Sequence, residues 1–78
     1  MAAKYRVEGT ADIVGRMRRE ALVRLLRRPR ITAEMAEALG VKRIEVIAQL
    51  RVLEEMGIVY RAEVIGKDQI WELRARAE

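Results

Sequence analysis

Residues 31–57 read ITAEMAEALGVKRIEVIAQLRVLEEMG. Thr32 is a good helix cap, and Glu34 lies in the first turn, where the helix dipole favours an anion. Met35, Ala36 and Leu39 recur at helical spacing and form one apolar face. Gly40 falls where a short turn needs a residue tolerant of positive φ, and Val41 plugs the corner behind it. A second helix starts near Lys42 or Arg43, buries Val46, Leu50 and Leu53, and stops at Gly57. The spacing therefore predicts two helices joined by a tight turn over residues 32–56.

Upstream, Val14, Met17, Ala21, Leu22, Leu25 and Leu26 form the apolar stripe of a further helix, with Arg18, Arg19, Arg24, Arg27 and Arg28 largely off it. Thr10 and Asp12 are its candidate caps, and Gly15 weakens its first turn. Pro29 should stop it at about Arg28, because proline disfavours a helical residue before it. Ile31 enters the core as a short extended piece. The alternation of residues 4–8, KYRVE, fits a short N-terminal strand.

Downstream, Ile58 to Ile65 is strand-like, Gly66 to Gln69 supplies a turn, and Ile70 to Leu73 returns. With Arg61 and Glu63 toward water, Tyr60, Ala62 and Val64 should face inward, as should Trp71 and Leu73 on the returning strand, with Glu72 outward. Core packing is the expectation for both Trp71 and Tyr60. The sum is a small α+β domain: a three-helix core closed by a C-terminal two-stranded β-hairpin. Residues 1–78 make one domain, with its core over 16–73, the helix pair over 32–56 and the hairpin over 58–73. Arg74 to Glu78 reads as a loose tail.

A chain of 78 residues supports one modest core. It contains neither cysteine nor histidine, which excludes disulfides, cysteine metal sites and histidine chemistry. No signal peptide is evident and no apolar run approaches the ~18 residues of a membrane span, so the expectation is a cytoplasmic protein off the membrane. The formal charge is +4, unevenly placed: nine basic and three acidic groups in residues 1–30, seven and nine in residues 31–78. A concentrated basic surface suits a polyanion such as nucleic acid. An arginine-rich solvated helix face, of the kind found in heat-adapted proteins, is the other reading.

Ala36, Leu39, Gly40, Val41, Val46 and Leu50, continued by LRVLEEMGIV (50–59) and the later IWEL (70–73), resemble the winged helix-turn-helix family. The resemblance covers roughly residues 16–73. It is strongest to small arsenic-repressor-like and MarR-like bacterial and archaeal regulators. It implies a DNA-binding transcriptional regulator whose helix 42–56 enters the major groove while the hairpin wing lies along the backbone or the neighbouring minor groove. Carried over by position, Arg43 is the candidate for a base edge, since a guanidinium bridges guanine O6 and N7. Lys42 and Arg51 are candidate phosphate contacts, and Gln49 could meet a base or a phosphate. The wing offers Arg61 and Lys67, while Arg28 and Arg30 flank the helix pair and could clamp the backbone. For each of these, an ordinary solvated or ion-paired surface group is the competing reading.

Two features depart from the family pattern. Lys42 stands where a Ser or Thr cap is usual, and a cation is poorly placed at that helix end. Ile44 and Ile47, beside Ala48, lie where a reading helix should be polar. An isoleucine can touch a thymine methyl, which suits DNA. An apolar patch also suits a protein partner, so a protein-interaction or scaffold module docking through Ile44 and Ile47 is the alternative. A homodimer pairing through residues 1–15 and the first helix is expected in the DNA reading, because a single wing domain has a limited footprint. No cofactor or metal is expected. An enzyme is not expected either, for want of a base, a nucleophile or a phosphate-loop signature.

Overall fold

The computed structural model describes the backbone of residues 2–74 and the side chains of residues 12–74. The elements run α1 (Ala2–Leu25), β1 (Arg30–Ile31), α2 (Thr32–Leu39), α3 (Arg43–Glu55), β2 (Val59–Ile65) and β3 (Asp68–Leu73). The core is built from Leu22 and Leu26 of α1 and its end, Met35 and Ala36 of α2, Val46, Leu50 and Leu53 of α3, Val59 and Trp71. The apolar stripes of the three helices predicted their share of this set, and Trp71 was expected inward; Val59 was not. Of the tail expected from Arg74 to Glu78, Arg74 is tied to the fold, its N–H donating to the Ile58 carbonyl at 2.8 Å, and residues 75–78 lie outside the described residues.

α1 differs from expectation at both ends. No strand forms at residues 4–8; the helix starts at Ala2 and runs through Thr10 and Asp12, neither of which caps it. Three of the five residues, Lys4, Arg6 and Glu8, are good helix formers, as are the preceding Ala2 and Ala3, and they outweigh the weak alternation. At the other end the helix stops at Leu25 rather than at Arg28. The Arg30 Nε donates to the Leu25 carbonyl at 2.6 Å, satisfying one of the acceptors that a helix end leaves open.

The sheet has three strands in the order β1-β3-β2, all antiparallel. The extra strand is the short piece at Ile31, which pairs with Ile70 while Arg30 pairs with Trp71. Thr32 does not cap α2. Ile31 holds the cap position, and the Glu34 carboxylate accepts from the Ile31 N–H at 3.2 Å, as in half of a capping box. Thr32 is instead buried, and its Oγ1 accepts from the Trp71 Nε1–H at 2.9 Å. That bond ties the start of the helix pair to the sheet.

Gly40 makes the corner as expected. At φ 68° it lets Val41 N–H reach the Ala36 carbonyl at 3.1 Å and its own N–H reach Glu37 at 3.2 Å. This paired closure fixes where α3 leaves the turn.

The inward face of β2 is not the one expected. Val59 and Arg61 lie across from Leu73 and Trp71, while Tyr60 lies across from Glu72 on the other side. The Arg61 guanidinium sits 5.2 Å from the Trp71 ring centroid and pairs with Glu54 at 3.2 Å. A cation thus covers the apolar face, and its polarity misleads a reading by alternation. A bulge between Arg61 and Glu63 then shifts the register. Val64 and Ile65, beyond it, are exposed near the hairpin tip.

Candidate nucleic-acid interface

α3 packs Val46, Leu50 and Leu53 inward and leaves its first turn proud of the body. Lys42 occupies the cap position in extended conformation with no side-chain cap bond, so the opening N–H groups of α3 have no side-chain acceptor from that residue. Lys42, Arg43, Ile44, Ala48 and Arg51 are exposed on the outer side. Lys67 is exposed in the two-residue turn between β2 and β3. Arg28 is exposed in the segment between α1 and β1.

The other candidates have partners within the protein. Gln49 faces α1, where its Oε1 accepts from Arg19 Nη1 at 2.7 Å. Arg30 is held by the Leu25 carbonyl and lies 3.9 Å from Glu34. Arg61 is engaged by Glu54 and Trp71. These three side chains brace helix ends and the sheet face, so each already has a partner within the protein. Ile47 is only half exposed, whereas Ile44 is 72% exposed. The apolar patch is therefore narrower than the sequence implied.

Two arginines of the basic first helix, for which the sequence offered a nucleic-acid footprint or a solvated face, brace α3. Arg18 pairs with Glu45 at 3.5 Å, drawing toward α1 the carboxylate nearest the first turn of α3. Arg19 holds Gln49. Gly15 is the signal that could have revealed this face, since a Cβ there would lie 3.1 Å from Arg19 Nη1 and 3.4 Å from the Gln49 amide. A glycine in mid-helix marks a close approach of another element.

On α1, Ile13, Val14 and Met17 are 50%, 40% and 62% exposed. These three lie N-terminal to Leu22 and Leu26, the α1-derived residues that fill the core. Among the described residues, no helix is long and apolar enough to cross a membrane.

Residues 17–61 match the sequence model of a family described as bacterial regulatory protein, arsR family. No curated protein matches the sequence. Among solved structures, the fold is similar to that of Lactococcus lactis ZitR, a double mutant in apo form. The TM-score is 0.67 at 18% identity, over 95% of this chain and 63% of that one. The chain thus spans less than two thirds of the ZitR chain, and the likeness is one of fold.

Proposed function

The chain belongs to the arsR family of bacterial regulatory proteins, and we propose that it regulates by seating the first turn of α3 in the major groove of duplex DNA. The observation that carries this reading is the exposed, cation-flanked start of α3, with Lys42, Arg43 and Arg51 outward and Glu45 drawn aside by Arg18. In this reading Arg43 meets a guanine edge. Lys42, Arg51, Arg28 and Lys67 neutralise phosphates and fix the register. The unpartnered N–H groups at the start of α3 favour a phosphate there, which offsets the misplaced Lys42 charge.

The working unit in this proposal is a homodimer in the cytoplasm. Exposed Ile13, Val14 and Met17 on α1 supply the apolar surface that a second copy would cover. Two-fold pairing then presents two reading helices to a palindromic site. Regulation, rather than catalysis, is what the family supports.

The test is a salt titration of binding to random-sequence duplex DNA. About four neutralised phosphates per chain give a slope of roughly −3 to −4 in log affinity against log salt, doubled in a dimer. Arg43→Ala should leave that slope nearly unchanged while weakening a selected sequence by roughly tenfold or more. Absence of binding at low salt would overturn the proposal.

A further inference from the structure

We infer that Ile44 is a specificity residue that reads the 5-methyl group of thymine, so that preferred sites carry a thymine beside the guanine met by Arg43. The inference rests on the reading of α3 as the DNA helix and adds to it the identity of a neighbouring base.

Ile44 is 72% exposed, the highest exposure among the large apolar side chains of the described residues. It contributes nothing to the buried core, which α3 fills with Val46, Leu50 and Leu53. Its place is the second residue of α3, immediately after Arg43. Helical side chains lean toward the N-terminus, so Ile44 covers the tip that would enter a groove first. Ala48 follows four residues later on the same face and is also exposed.

The size of the patch decides between partners. Ile47 is partly buried, which leaves Ile44 and the methyl of Ala48 at the first turns of α3, with the exposed Val52 and Met56 two and three turns further from the tip. A stable protein interface buries about 800 Å² per partner, far more than this single row of side chains offers. Arg43 and Arg51 flank the patch, and the carboxylate of Glu45 is turned to Arg18. A small apolar spot ringed by cations is complementary to a polyanion carrying an isolated methyl. In the major groove the thymine 5-methyl is that group.

Burying one methyl-sized group is worth about fourfold in affinity. The test uses the whole 78-residue chain and a duplex selected from a random pool. Each thymine is replaced in turn by deoxyuridine, which removes only the 5-methyl and leaves the protein untouched. Binding is read by fluorescence anisotropy for the parent chain and for Ile44→Ala.

The expected result is one position per half-site where uracil weakens the parent chain about fourfold. Ile44→Ala should bind the thymine and uracil duplexes alike there. Uniform tolerance of uracil, or equal sensitivity in Ile44→Ala, would overturn the inference while leaving DNA binding intact. Failure to bind any duplex would overturn both this inference and the reading beneath it.

Discussion

Arg19 Nη1 donates to Gln49 Oε1 at 2.7 Å where α1 passes α3, beside Gly15, a helical position with no side chain to intervene. The bond adds to the core packing of Val46, Leu50 and Leu53 in holding α3 against α1. In the proposed reading, Gln49 supports the fold rather than touching DNA.

Replacing Gln49 with alanine should lower stability by about 1 kcal/mol, the usual net worth of such a bond. Affinity for duplex DNA should stay within roughly twofold, because Val46, Leu50 and Leu53 still anchor α3 in the core. Urea unfolding and anisotropy, measured on the same preparation, check both parts. A large loss of affinity with stability intact would return Gln49 to the contact surface.

The Trp71–Thr32 bond is buried at both ends. Thr32→Val leaves the indole N–H without its acceptor, which should cost about 1–3 kcal/mol. Trp71→Phe removes the donor along with some packing. The double variant should be less destabilised than the sum of the singles, since it leaves no orphaned donor. Denaturant midpoints across the four proteins give this coupling directly.

Tyr60 supplies a pH signature. Its hydroxyl donates to Glu72 Oε1 at 2.9 Å, and this bond, then desolvation and the Glu72 charge, raise its pKa above the ordinary value despite the opposing charge of Arg74. A phenol whose folded pKa is raised stabilises the fold below its unfolded pKa. That contribution is lost as pH climbs through the folded value. A phenolate absorbance titration should show one of the two tyrosines titrating late, and Glu72→Gln should remove most of the delay.

Met17, at 62% exposed, tests the pairing surface without touching the core. Met17→Asp should shift sedimentation toward the monomer and weaken binding to a palindromic duplex by about tenfold or more, through loss of the second reading helix. Thermal stability measured at low concentration should change little. A parent chain that stays monomeric at high micromolar concentration and still binds tightly would refute pairing.

The helix pair was legible because its signals agree: Gly40 at the corner, Met35 and Ala36 on one face, Val46, Leu50 and Leu53 on the other. The third strand was half visible, in that Ile31 read as extended but its partner Ile70 lies 39 residues away. Such pairing leaves no local periodicity. The inward face of β2 was misread because Arg61, still about half exposed, lies over the Trp71 ring, so a charged residue sits on the side that alternation reserves for apolar groups. Likewise Arg30, Arg61 and Gln49 carry the residue types of a DNA surface, yet their partners come from the fold: the Leu25 carbonyl for Arg30, Glu54 for Arg61, and the Arg19 guanidinium that donates to Gln49. Only spatial neighbours separate a bracing arginine from a free one. Lys42, Arg43 and Arg51 kept their expected exposure because helical periodicity alone places them outward.

The central claim is that the first turn of α3 is the part of this molecule that meets DNA. Amide chemical shifts recorded while a selected duplex is titrated into isotope-labelled protein test it residue by residue. The account predicts the largest changes at residues 42–51, with a second set around Lys67 and little at Arg16 and Glu20 on α1. Shifts concentrated on the arginine face of α1, with residues 42–51 unmoved, would contradict it.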